Sequence, residues 1–225
     1  MFKKILFASL SLTIAGMLLA TPSTQVWNPS TDLQKAKTFH LGIDNYFTTQ
    51  GTNSGGYALP TDLGLTYGLS PEIEIGVDIF LPQDSPFVFN AKYALPESST
   101  LPVAVAVGAF GFGTQAGATN QNVIYGLIAK NFEFGRLSAG YFMGNPDLLT
   151  DNGAKDNAGP ILTWDKAIND KLWVCIDYAG TKSSLGSLFY GFSWMFDTNT
   201  SILFGYGTYN NVAKPTFTTQ LDINL

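Results

Sequence analysis

Residues Glu72–Leu81 read EIEIGVDIFL. The odd positions are Ile73, Ile75, Val77, Ile79 and Leu81; the even ones are Glu72, Glu74, Gly76, Asp78 and Phe80. A period of two over such a stretch is that of a β-strand with two unlike faces, and a helix would mix both sets around its surface. Two further blocks repeat the pattern. Tyr57–Gly68 sets Leu59, Leu63, Leu65 and Tyr67 against Asp62, Gly64, Thr66 and Gly68. The final block sets Phe217, Leu221, Ile223 and Leu225 against Thr216, Thr218, Gln220, Asp222 and Asn224.

Working outward, twelve such blocks follow one another at about 37–48, 57–68, 71–81, 85–95, 101–113, 122–131, 135–144, 158–167, 171–180, 184–196, 200–209 and 214–225. The eighth is the least regular, because Ile161–Ile168 mixes its faces. Joints after even-numbered blocks are short. The long ones, Thr49–Gly56, Thr114–Gln121 and Asn145–Asn157, all follow odd-numbered blocks and so fall at one end. An even number of tilted strands, short turns at one end and longer loops at the other is the signature of an outer-membrane barrel with both termini in the periplasm. The expected fold is all-β, a closed antiparallel transmembrane barrel of about twelve strands in up-and-down order.

Composition narrows the class. Of 225 residues, 45% are hydrophobic and only 13% charged, which argues against disorder. The one long apolar run is Met1–Ala20, with Lys3 and Lys4 leading and Thr21, Pro22 and Ser23 following. That order is the pattern of a secretory signal peptide, with cleavage expected after Ala20. Residues 21–36 are then a polar lead-in on the periplasmic side, and 37–225 the barrel. Loss of Lys3 and Lys4 takes the formal charge from −5 to −7. This surplus of acid opposes nucleic-acid binding, which requires basic surface. Cys175 is the single cysteine, so no internal disulfide can form.

Alternation alone also fits a soluble sandwich or barrel with its apolar face inward. The polar face opposes that reading, for it is built largely of Gly, Ala, Ser and Thr rather than the Lys and Glu of a solvated surface. Val103, Val105 and Val107, for example, oppose Ala104, Ala106 and Gly108. Aromatics gather near strand ends: Tyr67, Tyr93, Trp194 and Phe196 at one rim, Phe87, Tyr141, Tyr178 and Tyr206 at the other. Two aromatic girdles belong to membrane barrels.

The run Leu59–Pro82, LPTDLGLTYGLSPEIEIGVDIFLP, resembles the hairpins of porin-like outer-membrane proteins, in which Tyr-Gly-Leu ends one strand and Glu-Ile-Glu opens the next. The resemblance implies a porin-like barrel contacting outer-membrane lipids and inserted by the barrel-assembly machinery. Such proteins usually finish on an aromatic residue, whereas this sequence ends at Leu225.

With the bulky face turned to lipid, Asp44, Asp62, Glu72, Glu74, Asp78, Asp177 and Asp222 point inward, together with Lys92, Lys130, Arg136 and His40. Basic groups left against lipid near the midplane would each cost about 2–4 kcal/mol. The acids outnumber the permanent bases, so the interior is expected to favour cations. Hairpin register predicts Lys92 near Glu74, Asp62 close to Asp78, and Lys130 beside Arg136 as a basic rim. The leading functional expectation is passive diffusion of small solutes or ions with a mild cation preference. The alternative is a structural or adhesin-type barrel acting through its outer loops. An enzyme is disfavoured: His40 is the one histidine, and no serine is placed to serve with it as nucleophile. No cofactor is called for. Asp147, Asp151 and Asp156 in the loop Asn145–Asn157 offer oxygen ligands for calcium, but their spacing departs from the twelve-residue calcium loop.

Overall fold

A computed structural model describes residues 23–84 and 86–225. The expected signal peptide, Met1–Ala20, lies outside the described residues. The strands are β1 (Phe39–Phe47), β2 (Thr61–Gly68), β3 (Ile73–Leu81), β4 (Phe87–Leu95), β5 (Ala104–Gly113), β6 (Asn120–Phe132), β7 (Gly135–Met143), β8 (Thr150–Asp151), β9 (Ala154–Lys155), β10 (Ala158–Asn169), β11 (Leu172–Ala179), β12 (Ser187–Asp197), β13 (Thr200–Tyr209) and β14 (Thr216–Asn224). β8 and β9 form a small hairpin inside the loop between β7 and β10. The other twelve pair in sequence order, and β1 closes the barrel against β14, with Leu41 opposite Ile223. Every expected block coincides with one barrel strand, its ends displaced by four residues at most. All barrel pairings are antiparallel, and the β1–β14 pairing leaves no barrel strand with an open edge.

Alternation turns the bulky side chains outward. Ile75 is 44% exposed, Val107 58% and Tyr141 58%, whereas Glu74, Lys92, Asp177 and Asp222 are buried. A barrel that buries its charges and exposes Ile, Val and Phe is matched to hydrocarbon rather than water. Exposed Tyr93, Trp194 and Phe196 mark the rim of short turns, and Phe87, Tyr141 and Tyr206 the rim of longer loops.

The interior is more apolar than alternation implied. Val123, Tyr125, Leu127, Phe142 and Ile161 pack inside with Leu149 and Leu185, which two of the loops tuck into the barrel mouth. This explains the irregular eighth block. Ile161 faces inward because it meets that cluster, while Leu162, its neighbour, faces out and is 50% exposed.

Large inward rings lie over glycines on the adjacent strand. Tyr125 sits opposite Gly108, and Phe189 opposite Gly207, where a Cβ would collide with the Phe189 ring. Gly207→Ala should therefore displace Phe189 and cost about 1–3 kcal/mol, the usual range for overpacking. The denaturant midpoint of the protein refolded in detergent measures this; an unshifted midpoint would refute the packing argument.

Candidate functional site

Residues 23–36 of the lead-in, whose place in or out of the lumen the sequence leaves open, run inside the barrel. Among these, Gln25, Val26, Asn28, Ser30, Thr31 and Gln34 are all buried. A chain segment without regular structure carries backbone groups that need partners, and the barrel wall supplies them. Asp177 on β11 accepts the N–H groups of Val26, Trp27 and Asn28 at 3.2, 2.7 and 2.9 Å. The Val26 carbonyl accepts from Gln220 on β14 and from the Tyr46 hydroxyl on β1, at 2.7 and 3.0 Å. Glu74 on β3 accepts the Gln34 N–H at 2.6 Å, and Lys92 on β4 donates to the Ser23 carbonyl at 3.0 Å.

Side-chain packing reinforces these bonds. Gly191 and Gly205, opposite each other on β12 and β13, leave the space that the Val26 methyls fill. Trp27 stacks on Phe189 at 5.3 Å and meets Tyr46 edge-on at 5.0 Å. Buried Trp173, Cys175 and Leu203 complete this cluster, and the Cys175 thiol lies 3.6 Å from the Gln25 amide oxygen.

Interior charges are matched by design of the register. Glu74 and Lys92 are directly opposite across β3 and β4 and form an ion pair at 3.0 Å, both almost wholly buried. Arg136 on β7 bridges Asp32 of the lead-in at 2.7 Å and Asp165 on β10 at 2.9 Å. Asp165 also accepts the Trp173 indole N–H. His40 Nε2 lies 3.3 Å from Asp222, and among the described residues no serine hydroxyl is bonded to the imidazole.

Three carboxylates lack such matching. Asp44 and Asp62 are directly opposite on β1 and β2. Asp78 on β3 faces Gly64, two residues along β2 from Asp62, and accepts a hydrogen bond from the Asn90 amide at 2.8 Å. All three line a cavity of about 590 Å³ that the lead-in leaves open on the β1–β5 side. Its lining runs from Gln83, Gln121 and Asn211 at the loop end to His40, Glu74 and Lys92.

Two expected lumen residues lie elsewhere. Lys130 shares the outward parity of exposed Ile124 and Ile128 and stands opposite Leu137, so it does not form a rim with inward-facing Arg136. Its stem follows the barrel exterior to the turn end, where Nζ meets Glu97 at 2.7 Å. The bonds Glu97 accepts from Lys130 and from the backbone and side chain of Asn131 pull its carboxyl down to about 2. The sequence misled here because β6 is apolar on both faces, leaving the charge of Lys130 as the only cue. Glu72 sits in the turn before β3, bonded to Ser70. Asp32 and Asp165 were missed, although a polar lead-in facing a polar lumen was the available signal. In the loop Asn145–Asn157, Asp156 caps the Lys182 N–H and Asp151 accepts from Asn152. Among the described residues no three acidic, histidine or cysteine groups gather to hold a metal ion.

No protein-family description matches the sequence, and no curated protein matches it. Among solved structures the chain is similar to one described as KdgM porin, with a TM-score of 0.56 and 9% identity over 82% of this chain and 98% of that one. It is also similar to KdgM porin in complex with disordered oligogalacturonate, with a TM-score of 0.53 and 10% identity over the same shares. At this identity the likeness establishes the fold: a porin-like twelve-strand barrel.

Proposed function

We propose that this porin-like barrel sits in the bacterial outer membrane and lets small solutes or ions cross passively, cations in preference to anions. The observation that carries the reading is the group Asp44, Asp62 and Asp78 on the cavity wall, with no basic partner among the described residues, while Glu74 and Asp165 are ion-paired, Asp177 accepts backbone N–H groups and Asp222 lies beside His40. Uncompensated charge of one sign on a low-dielectric wall concentrates counter-ions and excludes like charge. The same sign opposes a solute such as oligogalacturonate, an acid sugar named with the structural neighbour. In this reading the chain is exported by cleavage after Ala20, inserted by the barrel-assembly machinery and bounded by outer-membrane lipid. It performs no catalysis.

The lead-in fills part of the lumen, and in this reading its shift widens the passage. Replacing Asp44, Asp62 and Asp78 together by Asn should move the reversal potential in a potassium chloride gradient toward that of a non-selective pore. Unchanged cation selectivity in the planar bilayer would remove the assignment. The burial of the lead-in favours a second reading, a closed barrel that acts through its loops. A bilayer that stays silent even after the lead-in is released selects that alternative.

A further inference from the structure

The cavity on the β1–β5 side is of molecular size, since small-molecule sites span roughly 300–1,000 Å³. Its walls are of two kinds. The wall of β1–β3 carries the three carboxylates with Tyr46 and Phe80 beside them; the rest of the cavity carries Tyr57, Phe110 and Tyr125. Within the carboxylate wall, Asp44 Oδ1 and Asp62 Oδ1 are withdrawn from solvent and receive no hydrogen bond from any described residue. These two side chains stand directly opposite each other. Like charges in that register repel, and both residues stay partly open to the cavity they line, so the pair lacks a cation on the cavity side.

What would complete it follows from the rest of the wall. A bare metal ion needs several ligands converging on one point, which the described residues do not offer. A hydrated inorganic ion gains nothing from aromatic walls. An ammonium or guanidinium donates several hydrogen bonds from one centre of charge, and aromatic faces attract both its cation and its apolar body. We infer that this cavity is a binding site for an organic cation, its charged head between Asp44, Asp62 and Asp78 and its apolar body against Phe80, Phe110 and Tyr125. The inference deepens the cation preference proposed above and rests on the reading that the lumen admits cations.

Phenethylammonium chloride is a suitable probe, with 2-phenylethanol and phenylacetate as neutral and anionic analogues of the same shape. Calorimetric titration of the mature protein in detergent should show saturable binding of the ammonium. The alcohol should bind at least about tenfold more weakly, roughly the weight of one charged contact. Phenylacetate should not bind. The paired substitution Asp44→Asn with Asp62→Asn should weaken the ammonium at least about tenfold and leave the alcohol unaffected. Circular dichroism checks that the variant is folded, and Asp78→Asn alone replaces it if it is not. Equal affinity for alcohol and ammonium, no binding of the ammonium, or an affinity indifferent to the Asn substitutions would each overturn the inference. Potassium chloride conductance of the same preparation separates the two readings. Conductance without ammonium binding sinks the site and leaves the channel; binding without conductance does the reverse.

Discussion

Asp177→Ala should open the lumen, seen as a severalfold rise in single-channel conductance in a planar bilayer. One carboxylate accepts three consecutive backbone N–H groups of the lead-in, and its other oxygen accepts from the Asn28 amide. Once the acceptor is gone, those donors are buried without partners, at roughly 1–3 kcal/mol apiece. Withdrawal of the segment into water satisfies them. The carboxylate itself is fully desolvated where it sits, 0% exposed, so its removal also relieves a burial cost, but among the described residues its hydrogen-bond partners all belong to the lead-in. Asp177→Asn retains an acceptor oxygen and should fall between the two states. Cys175 is an internal reporter: buried beside Gln25, it should resist a maleimide in the native protein and react once the lead-in departs. Native conductance and a protected thiol in Asp177→Ala would show that other contacts suffice to hold the segment.

Lys92→Met should be the most destabilising single change in the interior, by about 3–5 kcal/mol, because it strands the Glu74 carboxylate in a site only 2% exposed. The pair also anchors the lead-in near both ends, through Ser23 and through Gln34. The double change Glu74→Gln with Lys92→Met removes both charges and should recover most of the loss, since a buried ion pair contributes little beyond its neutral replacement. Urea unfolding of the detergent-refolded variants distinguishes these outcomes. Equal stability of the single and double variants would mean that Glu74 finds another partner or water.

Much of this was legible in the alternation. Ile73 to Leu81 against Glu74 and Asp78 identifies a two-faced strand, and twelve repeats with long joints at one end identify the barrel. The closeness of Lys92 to Glu74 and of Asp62 to Asp78 followed from hairpin register, because neighbouring antiparallel strands convert sequence distance directly into contact. Lys130 shows where this fails. On β6 both faces are apolar, Val123, Tyr125 and Leu127 inside and Ile124 and Ile128 outside, so hydrophobicity no longer tells lipid from lumen.

By itself, the sequence determined the strand count, the closure and the face turned to lipid, since each depends on residues two apart or one hairpin apart. Only the tertiary structure decided what fills the lumen. Residues 23–36 have no period to read, and their place depends on partners more than a hundred positions away, among them Asp165, Asp177 and Gln220. Closing the barrel is what brings those side chains together around one axis. The surplus of carboxylate at Asp44, Asp62 and Asp78 emerges at the same step, because which charges go unmatched is known only after the lead-in has bound to the others.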